Sequence, residues 1–188
     1  MNNDIELVEK VKKGDGLAFG GLYDGYSRKI YDFIYFRTFH RETAEDLTSV
    51  TFTKALEKIG SFEPRKGNFG SWLYRIARNT VIDHYRTNKV SSDIFEAYDI
   101  STRENIETDF DAKDQLAKVQ EYLSKLNPEQ RDLVIMRVWD GLTYREISEV
   151  TGKSEDALKV AFSRIMSKMR KEAIYALAVC LIINQFAK

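Results

Sequence analysis

Cysteine, histidine and proline are nearly absent from this sequence: one cysteine (Cys180), two histidines (His40 and His84) and two prolines stand among 188 residues. A single cysteine excludes a disulfide framework and a cysteine-built zinc site. Two histidines leave little for a histidine-rich metal centre. So few prolines, with only ten glycines, favour helices over a loop-rich β fold. The first residues, Met1-Asn2-Asn3-Asp4, lack the basic-then-apolar layout of a secretory signal. What is present is 43% apolar residues, enough for helical cores and too many for global disorder. The expectation is a soluble, cytoplasmic, all-α protein.

Net charge is missing too, but only as a total. Lysine plus arginine and aspartate plus glutamate number 29 each. Residues 1–86 carry 14 bases and 12 acids, residues 87–114 carry 3 and 8, and residues 115–188 carry 12 and 9. Two mildly basic blocks therefore flank an acidic connector, either an ordinary solvated linker or a sign of polyanion-binding domains.

Apolar periodicity divides the first block into helices. Residues 4–13 read as a short helix ending at Gly14, and Asp15 can cap the next one. Over 17–39, Leu17, Leu22, Tyr26, Ile30, Phe33 and Ile34 recur at helical spacing. Thr43-Ala44-Glu45-Asp46 has the form of a capping box and opens a helix to about Ile59, with Leu47, Val50, Phe52, Ala55, Leu56 and Ile59 inward. After a loop bearing Pro64, Gly67 and Gly70, Ser71 can cap a helix from Trp72 to about Arg86. Residues 87–114 show no sustained period and read as a flexible linker.

In the second block a helix over 116–126 precedes Asn127-Pro128, a cap followed by proline at the first helical position. That next helix reaches about Trp139. Thr143-Tyr144-Arg145-Glu146 is another capping box, opening a helix to Val150; Gly152 lies in a tight turn, and Ser154 starts the final long helix. Helix, short glycine-bearing turn, helix is the helix-turn-helix layout. Ile147 and Val150 can pack on Leu158 and Phe162. Lys159, Ser163, Arg164 and Lys168 are then left on the outer side, which could enter a major groove. An ordinary α-hairpin with a charged face is the alternative.

The stretch from Phe62 to Trp72 sets two phenylalanines in a basic, glycine-bearing loop, and the helix after it carries Tyr74, Arg75, Arg78, Asn79, Tyr85 and Arg86. Aromatics interleaved with cations suit single-stranded nucleic acid. For Trp72 and Ile76 a core role is the simpler reading. Asp83 and His84 are neighbours on one helix and point to different faces, so no catalytic dyad is expected there.

These segments together resemble a known family. Trp72-Leu73-Tyr74-Arg75-Ile76-Ala77-Arg78-Asn79 with Asp83 and Arg86 is similar to the W-L-x-x-I-A-x-N-x-x-x-D-x-x-R signature of the extracytoplasmic-function sigma factors, small initiation factors of bacterial RNA polymerase. Leu126-Asn127-Pro128-Glu129-Gln130-Arg131 and Gly141 to Ile147 are similar to the family's L-P-x-x-x-R and G-x-x-Y-x-E-I-A segments.

The resemblance implies two small helical domains, 1–86 and 115–172, joined by an acidic linker over 87–114 and followed by an apolar tail over 173–188. It implies binding to the β and β′ subunits of core polymerase through Asp46, Leu47, Ser49, Val50 and Thr53. It implies capture of the −10 promoter element, with a base flipped from the non-template strand, through Phe62, Arg65, Lys66, Asn68, Phe69, Ser71, Arg75, Arg78, Asn79 and Arg86. It implies reading of the −35 element through Thr143, Ser154, Lys159, Val160, Ser163, Arg164 and Lys168. An anti-sigma factor is a further expected partner, and a stress or envelope-signal regulon the expected setting. No catalytic residue, metal or cofactor is expected. Family members often carry Gln where this chain has Ser49, and Ser and Arg where it has Val160 and Ala161.

A stand-alone helix-turn-helix regulator and a purely protein-binding helical module are the competing classes. The tail, apolar from Ala173 to Ile183, is too short for a bilayer, which needs about 20 residues. Folding back onto a domain, a partner and a weak membrane contact all stay open for it. Cys180 reads as buried.

Overall fold

A computed structural model of the chain describes residues 2–91 and 119–171, with side chains over 3–87 and 119–169. Every regular element among the described residues is a helix, and the helices form a first unit within residues 2–91 and a second within residues 119–171.

The first unit holds α1 (Asn2–Lys12), α2 (Leu17–Thr38), α3 (Arg41–Lys58) and α4 (Phe69–Ser91), with two 3₁₀ turns, Ile59–Ser61 and Pro64–Lys66, between α3 and α4. Its core is the apolar stripe of each helix: Val8 and Val11 from α1, Leu22, Ile30, Phe33 and Ile34 from α2, Ala44, Phe52 and Ala55 from α3, and Leu73, Ala77 and Val81 from α4. Phe33 meets the Tyr74 ring edge-on at 5.5 Å, tying α2 to α4. On the flank of α2, burial raises the Asp32 carboxyl above its ordinary range, while Arg28 at 3.0 Å opposes that shift.

Several helix ends differ from the sequence expectation. As expected, the Asp15 carboxylate accepts from the N–H groups of Leu17 and Ala18 at the start of α2. α3 starts earlier than the Thr43 box implies. His40 is its N-cap, and the imidazole Nδ1 accepts from the Thr43 N–H at 3.2 Å. Phe39, in a left-handed conformation at φ 51°, turns the chain from α2 into that cap. α4 likewise starts before Ser71: Asn68 Oδ1 accepts from the Ser71 N–H at 2.7 Å, so Asn68 is the capping side chain and Ser71 is buried in the first turn. α4 also runs on to Ser91, past the expected boundary at 86.

Replacing His40 by Ala should cost about 1 kcal/mol, the usual worth of a lost N-cap. His40→Asn, which keeps an acceptor, should recover most of it. Urea unfolding of the three proteins measures this; equal midpoints would mean the cap contributes nothing.

Two apolar side chains of α3 expected inward face solvent, Val50 at 40% exposed and Leu56 at 46%, and Leu17, the first member of the α2 period, is 91% exposed. Apolar spacing fixes the pitch of a stripe but not which flank of it is covered.

The second unit comprises helical residues 119–125 (α5), α6 (Pro128–Val134), a π turn (Ile135–Trp139), α7 (Tyr144–Thr151) and α8 (Glu155–Lys171). Asn127 and Gln130 form a reciprocal capping box with Pro128 at the first helical position, as their spacing implies. The Arg131 guanidinium donates to the carbonyls of Leu123 and Ser124 at 2.8 and 3.2 Å, satisfying the open end of α5. Leu123, Ile135, Met136, Ile147, Leu158, Ile165 and Met169 make the core. Most of the acidic linker, and the whole tail with Cys180, lie outside the described residues.

Candidate nucleic-acid interface

The loop before α4 is built on an aromatic cluster. The rings of Phe62, Phe69 and Trp72 lie 5.5–5.8 Å apart by centroid, and Tyr26 meets Phe69 edge-on at 5.5 Å. Phe62 is 2% and Phe69 1% exposed. The expectation that these two phenylalanines, with Ser71, touch DNA does not fit where they lie. They bury apolar ring area that a short loop could not otherwise cover, and so fix the loop's two ends. Glu63, Pro64, Arg65 and Lys66 are left as its exposed tip, with Asn68 half-buried beside them. Lys66 pairs with Glu63 at 2.8 Å. Gly67, at φ 151°, completes the bend in a conformation that favours glycine.

α4 turns one polar face away from its core stripe. Arg75, Asn79, Ile82 and Arg86 are exposed at spacings of four, three and four residues, so they share one side of the helix. Arg78 lies half-buried at the edge of that face. Asp83 holds Arg86 at 3.1 Å. An amide between two guanidinium groups, with an apolar neighbour one turn on, suits a single strand: cations follow phosphates and the amide meets a base edge. Ile82 was not anticipated, although its spacing from Arg75, Asn79 and Arg86 was there to be read.

On α3, Asp46, Ser49, Val50 and Thr53 are exposed on one side, whereas Leu47 is buried and belongs to the core. Val50 therefore gives that face its apolar character, and Leu56 extends it one turn further.

In the second unit α7 and α8 form the helix-turn-helix. Thr143 and Glu146 cap α7 reciprocally: the Glu146 carboxylate accepts from the Thr143 N–H at 2.7 Å, and the Thr143 hydroxyl accepts from the Glu146 N–H at 3.2 Å. Gly152, at φ 75°, turns the chain where a side chain would be strained. Ser154 Oγ then accepts from the Ala157 N–H at 3.3 Å at the start of α8. Ile147 and Leu158 are buried, and Tyr144 meets the Phe162 ring at 6.1 Å, which fixes the outer face of α8.

That outer face carries Asp156, Val160, Ser163, Arg164 and Ser167, all exposed. Val160 is 50% exposed and lies diametrically opposite the buried stripe of Leu158, Ile165, Met166 and Met169. Lys159 pairs with Asp156 at 3.2 Å, so part of its charge is met within the helix. Thr143, Ser154 and Lys168 are exposed as well. Among the described residues no cluster of His, Cys, Asp and Glu could hold a metal ion, and no helix is long and apolar enough to cross a membrane.

Described elements that are all helical, a helix-turn-helix in one unit, and a cationic, amide-bearing helix face beside an aromatic-pinned loop in the other fit the class of nucleic-acid-binding proteins. The comparisons give the family. Residues 22–90 match sigma-70 region 2 and residues 116–169 match sigma-70 region 4. The RNA polymerase sigma factor YlaC of Bacillus subtilis is 30% identical over 80% of this chain and 88% of its own length. The extracytoplasmic-function sigma factor BldN of Streptomyces coelicolor is 38% identical over 82% of this chain, which spans 60% of that protein. The solved structure of CnrH in complex with the cytosolic domain of CnrY superposes with a TM-score of 0.70 at 24% identity, covering 91% of this chain and 97% of that one, and so shares the fold. The chain belongs to the extracytoplasmic-function sigma factors of bacterial RNA polymerase. A stand-alone helix-turn-helix regulator is not favoured, because the region 2 match extends over α2 to α4.

Proposed function

We propose that this chain joins core RNA polymerase, in the cytoplasm, and directs it to a dedicated set of promoters, acting by binding alone and without catalysis. What supports the reading is that one chain presents two different exposed helix faces. One is the α4 face of Arg75, Asn79, Ile82 and Arg86, suited to a single strand. The other is the α8 face of Val160, Ser163 and Arg164, suited to a duplex groove.

On this reading the first domain, residues 1–86, holds the melted −10 element on the loop tip Arg65–Lys66, on Asn68 and on the α4 face. Phe62, Phe69 and Ser71 act beneath that surface. The α3 face of Asp46, Ser49, Val50 and Thr53 meets the polymerase β and β′ subunits, with Leu47 supporting it from the core. The second domain, residues 115–172, reads the −35 element through α8, with Thr143, Ser154 and Lys168 on phosphates. Residues 87–114 connect the two.

Flipping a base from the duplex costs a few kcal/mol, which stacking and hydrogen bonds in the −10 site offset together with polymerase contacts. The free protein is therefore expected to melt DNA poorly. An anti-sigma partner fits the same reading: CnrH was solved with the cytosolic domain of CnrY, and RpoE of Bartonella quintana with the anti-sigma factor NepR. A regulon answering stress or envelope signals fits such control.

The test is in vitro transcription with bacterial core polymerase and a pool of genomic promoter fragments, with and without this protein. New discrete transcripts that depend on the protein are expected. Failure to bind core polymerase at all would sink the reading.

A further inference from the structure

α1 lies before the residues matched to sigma-70 region 2, which begin at 22. It nonetheless touches the start of the loop assigned to the −10 element directly and is linked to its end through α2. At the loop's start, Lys12 Nζ donates to the Phe62 carbonyl at 2.8 Å and stands 6.0 Å from the centre of the Phe62 ring. At the loop's end the link passes through α2: Asp4 accepts from the Tyr26 hydroxyl at 2.6 Å, and the Tyr26 ring packs on Phe69. Tyr26 also sits so close to Gly70 that a Cβ there would come within 3.1 Å of its ring. α1 is itself anchored through buried Val8 and Val11.

We propose that α1 is a latch that presets the base-capturing loop, with Lys12, Asp4 and Tyr26 as positioning residues for promoter opening. This rests on the sigma-factor reading of the loop and adds to it a role for a helix outside the matched region. Neither Lys12 nor Asp4 need touch DNA. With the rings of Phe62 and Phe69 buried but no polar anchor behind them, the loop samples more conformations, and a ligand must then select the competent one, losing affinity in proportion to that fraction. A charge-assisted hydrogen bond at one end and a hydroxyl–carboxylate bond at the other remove that freedom before DNA arrives.

The two ends use different chemistry, which makes the latch separable from general stability. Lys12→Met keeps the aliphatic stem and removes the donor. Tyr26→Phe keeps the ring on Phe69 and removes the bond to Asp4. Asp4→Ala removes the acceptor, so the Tyr26→Phe/Asp4→Ala double variant should be no worse than either single one.

The experiment uses holoenzyme assembled from core polymerase and the full chain. Affinity is measured for a promoter fragment with a preformed single-stranded −10 bubble, and for the −35 duplex alone. Each single variant should bind the bubble about tenfold more weakly, the factor that follows from losing one hydrogen bond to a charged group. Core affinity and −35 duplex affinity should stay unchanged. 2-Aminopurine placed along the non-template −10 strand should show a smaller fluorescence rise on opening. Variants that fold and bind core but hold the bubble as tightly as the parent would overturn the latch. If Lys12→Met fails to fold, Tyr26→Phe carries the test by itself. A parent holoenzyme that shows no preference for the bubble would instead overturn the underlying assignment of the loop.

Discussion

Arg164→Ala should weaken holoenzyme binding to its −35 duplex by about 5- to 150-fold, the range set by roughly 1–3 kcal/mol for a bidentate arginine–guanine contact. Arg164 is exposed on the outer side of α8. It has no ion pair among the described residues, unlike Lys159, which Asp156 already holds. A base contact and a phosphate contact predict different patterns of loss. A base contact costs affinity for the cognate sequence and relaxes preference at one position. A phosphate contact weakens all sequences equally and lowers the slope of log K against log salt by about 0.9. Binding at three salt concentrations, with cognate and scrambled −35 duplexes, separates the two. A uniform loss with a reduced slope would move Arg164 from reading to positioning.

Val160, four residues earlier on the same face, makes a companion case. Val160 leaves a β-branched apolar side chain exposed opposite the core stripe, and a thymine methyl is the apolar feature a major groove offers. Replacing each −35 thymine by deoxyuridine removes that methyl alone. At one position the loss should be about fourfold, from roughly 0.8 kcal/mol per buried methyl-sized group. Val160→Ala should abolish the sensitivity. Equal binding of thymine and uracil duplexes by the parent at every position would remove Val160 from the reading set.

Much of this surface is legible in the sequence because its positions are set by helix period. The Asn127-Pro128 box, the Thr143–Glu146 box and Gly152 mark the starts of α6 and α7 and the turn after α7, the boxes by satisfying backbone groups at helix ends and Gly152 by its positive φ. The first unit was harder for identifiable reasons. His40 caps α3 with an imidazole nitrogen, which lies outside the usual cap set of Ser, Thr, Asp and Asn; Thr43, three residues on, imitates a cap while serving as the donor. Asn68 lies in a loop rich in glycine and aromatics, where Ser71 is the more conventional cap in sequence, yet the Ser71 N–H is the donor and Asn68 the acceptor. Phe62 and Phe69 look like exposed stacking platforms in one dimension. Only in three dimensions do Trp72 and Tyr26 arrive to bury them. Leu47 and Val50 share a helix, and only the packing of α2 and α4 decides that the first is core and the second surface.

Phe33→Ala should have the largest effect on stability, and its consequence should stay within the first unit. Phe33 is fully buried and meets Tyr74 edge-on at 5.5 Å, joining α2 to α4, the helix proposed to hold the −10 element. Truncating a buried phenylalanine costs about 3–5 kcal/mol, from lost transfer energy and the cavity left behind. A domain of this size has roughly 5–13 kcal/mol in total, so much of its stability would go. The chain provides its own reporters, because its two tryptophans, Trp72 and Trp139, fall one in each unit. Trp139→Phe leaves a protein whose emission follows the first unit, and Trp72→Phe one that follows the second. In the first background Phe33→Ala should lower the urea midpoint by roughly 1–3 M, given a slope near 2 kcal/mol per molar. In the second the midpoint should stay where it was. A midpoint that moved equally in both would show that the two units unfold as one cooperative body, and loss of −10 binding in this variant could then no longer be assigned to α4. A shift confined to Trp72 would instead predict a separable phenotype. The holoenzyme would keep its −35 duplex contacts through α8 and lose its hold on the melted strand, because the Arg75–Asn79–Ile82–Arg86 face depends on α4 being held against Phe33.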